Sequence, residues 1–217
     1  KNCALELKAI NDFVDSTGKQ RRVGESWLYS KQGSYLPTID EFAVKIVQGI
    51  TITDVKCIHL IADTTFTDAY GVLRKAGEEW LVTKELTSLH LLQPYEKLVE
   101  TKSATTLSSR QYAIVLNPYD DSTGTNQWGK RVLIKGERSF FLRPGEYLES
   151  GVQNFIILSE DEAILISAVE EFVDSTGIKR VPGAIWLYKG PGEYVPPVEV
   201  KVIEKRKAIP LHENEGI

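Results

Sequence analysis

Four short segments of the chain combine aspartate and glycine in the way that calcium-binding loops do. They are Asp15-Ser16-Thr17-Gly18, Asp68-Ala69-Tyr70-Gly71, Asp121-Ser122-Thr123-Gly124 and Asp174-Ser175-Thr176-Gly177. An EF-hand loop needs oxygen ligands at alternate positions and a glutamate at position 12. Counted from Asp15, position 12 is Ser26, and counted from Asp121 it is Val132. The pattern therefore favours ordinary turns, with a weak, atypical cation site as the alternative.

Two pairs of adjacent carboxylates, Asp120-Asp121 and Glu170-Glu171, raise the question of general acid and base catalysis. Such chemistry needs both groups in one pocket, whereas adjacent residues of a strand point to opposite faces. We interpret both pairs as solvated surface residues.

The three histidines, His59, His90 and His212, are scattered and lack a partner at metal-ligand spacing. No serine or cysteine motif of the nucleophile-elbow kind accompanies them. Gly190-Pro191-Gly192 lacks the third glycine of a phosphate-binding loop and is followed by further proline-rich sequence. The sequence thus predicts no catalytic residue, no cofactor-binding residue and no metal ligand.

Composition limits the class of protein. The 217 residues are 42% hydrophobic and 26% charged, and they contain no apolar run long enough to cross a membrane. The net charge of -4 argues against direct nucleic-acid binding. Two cysteines, Cys3 and Cys57, form no disulfide framework, which fits a reducing compartment. The chain lacks an initiator methionine and ends in patterned sequence, so we expect a piece of a longer protein.

The four aspartates are evenly spaced, at positions 15, 68, 121 and 174, which are 53 residues apart. An aromatic residue precedes each by two positions. A second glycine follows the turn glycine by six positions in three segments and leads to a tryptophan, as in Gly24 to Trp27. In the third segment we match this glycine to Gly136, which predicts a longer loop from Thr125 to Lys135. Aspartate and glycine at this spacing predict a β-hairpin tip in each repeat.

The elements that carry these tips are predicted to be strands. Residues 5–9 and 198–202 alternate apolar and charged side chains, as a sheet with one wet face requires. The predicted fold class is all-β, with tandem small antiparallel β-sheet repeats stacked end to end into an elongated array. We expect repeats at 1–56, 57–109, 110–162 with the longer loop, and 163–207, with the start of a further repeat at 208–217.

Basic pairs recur between the two glycines of every repeat, at Arg21-Arg22, Arg74-Lys75, Lys130-Arg131 and Lys179-Arg180. A glutamate follows the second glycine in the first three repeats, at Glu25, Glu78 and Glu137. One hypothesis is that these charges form a ladder facing acidic groups of an identical neighbouring chain. The alternative is ordinary solvated strand ends.

The chain resembles the N-terminal repeat region of the major vault protein family. The segments that carry this resemblance are Gly33–Pro37, Gly77–Val82, Gly136–Glu146, Gly190–Pro196 and Ala208–Ile217. The second repeat departs from the family pattern at Leu86–Pro94, where a longer hairpin is expected.

This resemblance implies a non-catalytic structural subunit in the wall of a hollow ribonucleoprotein particle, the vault. The implied partners are identical chains in a large homo-oligomer, without direct contact to nucleic acid or membrane. The implied location is the cytoplasm, with the nucleus as a second compartment. An alternative is a binding module that docks signalling or poly(ADP-ribose) polymerase-type partners, with calcium assistance at the aspartate turns.

Overall fold

The computed structural model describes residues 2–209, which contain 27 β-strands and no helix. In the first half of the chain the strands are β1 (Cys3–Ala9), β2 (Phe13–Val14), β3 (Gln20–Arg21), β4 (Ser26–Tyr29), β5 (Glu41–Gln48), β6 (Ile50–Thr51), β7 (Lys56–Ala62), β8 (Phe66–Thr67), β9 (Leu73–Arg74), β10 (Glu79–Val82), β11 (Leu89–His90) and β12 (Glu96–Ser103). In the second half they are β13 (Thr105–Leu107), β14 (Gln111–Leu116), β15 (Tyr119–Asp120), β16 (Thr125–Asn126), β17 (Arg131–Lys135), β18 (Arg138–Phe140), β19 (Tyr147–Leu148), β20 (Gln153–Asn154), β21 (Ile156–Leu158), β22 (Glu162–Ala168), β23 (Phe172–Val173), β24 (Lys179–Arg180), β25 (Ile185–Lys189), β26 (Gly192–Tyr194) and β27 (Val200–Lys207).

Small antiparallel sheets repeat along the chain. Three of them have three strands, in the orders β4-β1-β5, β10-β7-β12 and β25-β22-β27. In each, the strand that comes first in sequence lies in the centre. The third repeat has the order β17-β14-β19, and β20 also pairs with β14. The predicted all-β class with tandem antiparallel sheets is confirmed.

In the first, second and fourth repeats, the sheet buries one cluster of apolar side chains. In the second repeat, Ile58 and Leu60 of β7 are fully buried with Trp80 and Val82 of β10. Trp80 lies directly opposite Leu60 in the strand pairing. Equivalent clusters form around Trp27 in the first repeat and beside Trp186 in the fourth. Trp27, Trp80 and Trp186 thus mark one small core in each of these three repeats.

The outer strand of three sheets carries a β-bulge at the same position. In β5, β12 and β27 the strand register shifts by one residue, which leaves Val44, Val99 and Ile203 without a partner on the central strand. The three side chains are 44%, 49% and 47% exposed. A bulge bends and twists an edge strand, so it hinders straight pairing with a further strand.

The two-residue strand pairs β2-β3, β8-β9, β15-β16 and β23-β24 are the predicted hairpins. Their turn glycines, among them Gly18 and Gly71, have φ angles of 85° and 82°, which glycine adopts without a Cβ penalty. The prediction of hairpin tips at Asp-x-x-Gly is confirmed.

The third repeat corrects one prediction. Residues 125–135 are not a loop, because they contain β16 and β17, and β17 pairs with β14 from Leu116 to Tyr112. The second glycine of this repeat is Gly129, with φ of 79°, and its N–H donates to Asn117 Oδ1 at 2.8 Å. Gly24 donates in the same way to the Ala9 carbonyl in the first repeat. The consecutive apolar residues Val132, Leu133 and Ile134 after Gly129 are compatible with a buried strand. The match of the second glycine to Gly136 assigned them to a loop instead.

The described chain forms two compact units. One comprises residues 2–105 with 140–144, and the other comprises 106–139 with 145–209. The predicted repeat boundaries at 56/57 and 162/163 fall one residue inside β7 and β22, and the boundary at 109/110 falls between β13 and β14. These boundaries stay predictions. Of the repeat predicted to start at 208, only Ala208 and Ile209 lie within the described residues. None of the described residues belongs to a helix that could span a membrane.

The core of the second repeat yields a stability prediction. Leu60→Ala removes a fully buried side chain beside Trp80, so we expect a loss of about 2–5 kcal/mol in the free energy of unfolding, measured by urea denaturation. Leu98→Ala is the matched control, because Leu98 lies opposite Leu60 on β12 and is 41% exposed. Its expected loss is about 1 kcal/mol. Equal losses for the two variants would contradict this assignment of the core.

Candidate functional site

The aspartate at the first hairpin tip binds its own turn. Oδ1 of Asp15 accepts hydrogen bonds from the Thr17 amide at 2.8 Å, from the Thr17 hydroxyl and from the Lys19 amide at 3.0 Å. Oδ2 accepts from Nε of Arg21 at 2.7 Å. Both carboxylate oxygens are therefore occupied by donors from within the hairpin.

Arg21 connects this turn to the core of the repeat. Its Nη1 donates to Oε1 of Glu25 at 2.6 Å, and its Cζ lies 4.4 Å from the centre of the Trp27 ring. Phe13 packs against the same ring, with centroids 6.1 Å apart. The arginine is only 7% exposed. Two carboxylates and the indole face compensate its buried charge. We call the set Asp15, Arg21 and Trp27 an Asp–Arg–Trp clamp.

The second repeat contains the same clamp. Oδ2 of Asp68 accepts from Nε of Arg74 at 2.9 Å, and the turn amides of Tyr70 and Val72 donate to Oδ1. Cζ of Arg74 lies 4.6 Å from the centre of the Trp80 ring. Nη1 of Arg74 donates to Glu78, as Arg21 does to Glu25.

The fourth repeat has the clamp without its glutamate. Asp174 accepts from Nε of Arg180 at 2.8 Å, and Cζ of Arg180 lies 4.4 Å from the centre of the Trp186 ring. Ala184 stands where the first two repeats have Glu25 and Glu78. The side chain of Arg180 is 21% exposed, against 9% for Arg21. The second carboxylate thus accompanies deeper burial of the guanidinium.

The third repeat replaces the clamp with neutral partners. The aspartate that binds the turn is Asp120, one residue before the Asp121 that the 53-residue spacing indicates. Its Oδ1 accepts from the Ser122 amide at 2.9 Å, and its Oδ2 accepts from Nε2 of Gln127 at 2.8 Å. Glutamine therefore donates to Oδ2 of this aspartate, as arginine does in the other three repeats.

The hydrogen bonds lower the pKa of the clamp aspartates. Burial by itself would raise the pKa of Asp15, but the Thr17 hydroxyl, the Arg21 guanidinium and the turn amides outweigh it and hold the pKa below its usual range. For Asp174 the threonine hydroxyl two residues on is the largest cause, and its pKa is also lowered. At Asp120 the Ser122 hydroxyl is the largest cause, and the pKa falls to about 2. These carboxylates stay ionised at neutral pH.

Comparison with known proteins identifies the repeats. A family model described as the Major Vault Protein repeat domain matches residues 1–38, 51–89 and 156–197, which together are more than half of the chain. The chain belongs to the major vault protein repeat family. The matched ranges contain the three clamp tryptophans, whereas the Asp120 hairpin lies outside them.

Full-length relatives in this family match the whole chain. Identity is 46% to major vault protein beta of Dictyostelium discoideum, 43% to the major vault protein of Bos taurus and 44% to that of Gallus gallus. The matched part is 26%, 25% and 26% of those three proteins. The chain thus spans about a quarter of the length of the curated relatives that it matches.

The vault-repeat clamps argue against the charge-ladder hypothesis for three of its eight basic residues. Arg21, Arg74 and Arg180 are each bound to an aspartate of their own hairpin. They are therefore not available to a neighbouring chain. The signal that sequence reasoning missed is the constant spacing of six residues from each clamp aspartate to its arginine. In the first two basic pairs, the residue next to the clamp arginine, Arg22 or Lys75, is exposed.

The two carboxylates of the Glu170-Glu171 pair bind different cations. Glu170 binds Arg131 at 2.7 Å, whereas Glu171 binds Lys179 at 2.7 Å. Within residues 2–209, no three His, Cys, Asp or Glu side chains are placed to hold a metal ion. The clamp aspartates already direct both oxygens at protein donors.

The histidines of the second vault repeat are structural. His90 is 2% exposed, with Nε2 at 2.8 Å from Oε2 of Glu96 and Nδ1 at 2.8 Å from the Tyr70 hydroxyl. These partners favour the tautomer that donates from Nε2 and accepts at Nδ1. Burial, with the charge on Glu96, raises the pKa of Tyr70 to about 12. His59 is also buried and binds Glu79 at 2.8 Å, while His212 lies outside the described residues.

The clamp predicts different roles for two adjacent arginines. Arg21→Gln leaves the buried Asp15 carboxylate without its counter-charge, so we expect a loss of about 3–5 kcal/mol in unfolding free energy. Arg22→Gln, at the exposed neighbour, should change it by less than about 0.5 kcal/mol. Urea denaturation followed by tryptophan fluorescence measures both. A ladder between chains would instead make the two substitutions equivalent in the isolated chain.

The lowered aspartate pKa values predict how stability depends on pH. An aspartate with a lowered folded-state pKa stabilises the fold above the unfolded pKa of about 3.9, and this contribution disappears as the pH falls through the folded-state value. We expect Asp15→Asn to cost about 2 kcal/mol at pH 7 and progressively less below about pH 4. The measurement is thermal unfolding between pH 7 and pH 2. Asp54→Asn, at an exposed residue, should show a small difference throughout; a constant deficit for Asp15→Asn would refute the linkage.

Proposed function

We propose that the chain is a structural, non-enzymatic segment of a vault wall, which assembles side by side with identical chains. The observation that carries this proposal is membership of the vault repeat family, with at least 41% identity over the whole chain to eight major vault proteins. The proposed location is the cytoplasm, with the nucleus as a second compartment. A poly(ADP-ribose) polymerase-type protein is a further proposed partner.

The chemistry of the polar residues supports a structural role. The most regular polar feature is the clamp, and its aspartate, guanidinium and indole bind one another within a single hairpin and sheet. A catalytic group needs an unshared lone pair or proton directed at a substrate. The clamp groups satisfy one another instead, so they stabilise the repeat and perform no reaction.

The sheet edges support lateral contact through side chains. The bulges in β5, β12 and β27 hinder continuous backbone pairing at three edges, yet each presents an aliphatic side chain to solvent. Copies that meet along such edges would form separate contacts and would not merge into one sheet. Such separate contacts suit an assembly of many identical chains that lie side by side.

A chimera tests the proposed function. This chain replaces the matching quarter of the Bos taurus major vault protein, and particles are counted by negative-stain electron microscopy after gradient sedimentation. We expect closed hollow particles, because the 43% identical segment supplies equivalent repeats. A control chimera with Arg21→Gln, Arg74→Gln and Arg180→Gln lacks the clamps and should not give them. A soluble, folded parent chimera that sediments only as small species would contradict the proposal.

A further inference from the structure

One large aromatic side chain of the third repeat is exposed. Trp128 precedes the second glycine, Gly129, and 76% of it is open to solvent. At the same position the other repeats have smaller residues, namely Val23, Ala76 and Pro182. The other three tryptophans of the chain, Trp27, Trp80 and Trp186, belong to the clamps and pack in the cores of their repeats. A solvent-exposed indole is typical of residues that dominate protein interfaces.

The same compact unit contains an open cleft of about 610 Å³. Its apolar walls include Ile114, Val169, Pro196 and Val202. Lys201 lines it as a cation, whereas Arg131, which also lines it, is already paired with Glu170 at 2.7 Å. This volume lies within the usual range of ligand-binding pockets, about 300–1,000 Å³, and exceeds that of a single indole. The cleft thus offers both an apolar surface and positive charge.

The cleft results from an irregularity of the third repeat. The edge strand, continuous in the other repeats, is here divided into β19 and β20, which pair with opposite ends of β14. Residues 149–152 lie between the two short strands, and Glu149, Ser150 and Gly151 line the cleft. The exposed indole and the open cleft are therefore two departures of one repeat from the common pattern.

The indole and the cleft are complementary. An indole ring attracts cations to its face, and Lys201 supplies a cation beside apolar walls. The chain already makes this pairing three times, with a guanidinium carbon 4.4–4.6 Å from the centre of a tryptophan ring. Trp128 does not fill the cleft of its own chain, because most of its surface is exposed.

We propose that Trp128 of one chain inserts into the cleft of a second copy. Such a contact joins two different surfaces, so a single chain can donate its indole to one neighbour and receive that of another. Repetition of a contact of this type generates a ring when the rotation closes. The inference rests on the proposed side-by-side assembly and adds to it the residues of one lateral contact.

Paired variants test this contact in the 217-residue chain. Sedimentation equilibrium up to about 1 mM measures self-association of the wild type, of Trp128→Val and of Val169→Arg. Trp128→Val removes the indole and leaves the cleft, whereas Val169→Arg obstructs the cleft and leaves the indole. We expect each to weaken self-association at least about tenfold. Val173→Arg is the control, because Val173 is 65% exposed and does not line the cleft.

Mixing the two variants separates this contact from any symmetric one. A mixture of Trp128→Val and Val169→Arg should form a one-to-one complex, because one partner supplies the cleft and the other the indole. Circular dichroism verifies that both variants are folded. A monomeric wild type, unchanged association of Trp128→Val, or a mixture without complex would each overturn the inference. The chimera can still form particles in those cases, so the proposed function would be judged separately.

Discussion

The first, second and fourth repeats depend on an arginine that is largely buried between an aspartate and a tryptophan. Repeats of roughly 50 residues are near the lower limit at which an apolar core alone supports a fold. Arg21 extends this core, because its aliphatic stem and guanidinium face cover Trp27 while its nitrogens bind Asp15 and Glu25. The hairpin is thereby fixed to the sheet that follows it. Without that connection, the two-residue strands β2 and β3 would have little to hold them in place.

A buried ion pair stabilises only if its geometry compensates for the loss of hydration. Here each oxygen of Asp15 has its own donors, and the donors come from a turn whose shape the glycine at position 18 permits. The fourth repeat, which lacks the glutamate, leaves Arg180 more exposed. The depth of burial therefore follows the number of carboxylates that face the guanidinium. The three clamps of this chain all have the aspartate, whereas alanine replaces the glutamate in one of them.

The sequence predicted the hairpins, the β class and the family, because each depends on local spacing that is visible in the chain. It did not predict the role of Arg21, since that role requires the strand register that places Arg21 opposite Phe13 and within reach of Asp15. The third repeat was misread because Gly136 is followed by a glutamate and aromatic residues, as in the other repeats. The Asn117 side chain accounts for the difference, because its Oδ1 accepts a hydrogen bond from the Gly129 N–H. Strand β17 then begins two residues later, at Arg131. Residue spacing in the sequence does not reveal contacts of this kind between distant residues.

Regularity and irregularity serve different purposes in such a chain. Three of the sheets have the same bulged edge strand, which leaves Val44, Val99 or Ile203 unpaired. The bulge bends the edge and so hinders pairing with a strand of another chain. A chain of only such edges would have no feature that defines the alignment of two copies along their length. One repeat that differs, with a divided edge strand and an exposed Trp128, supplies a unique position. In the proposed assembly, Trp128 and the cleft would align two copies in a single way, whereas the bulged edges alone would permit several alignments.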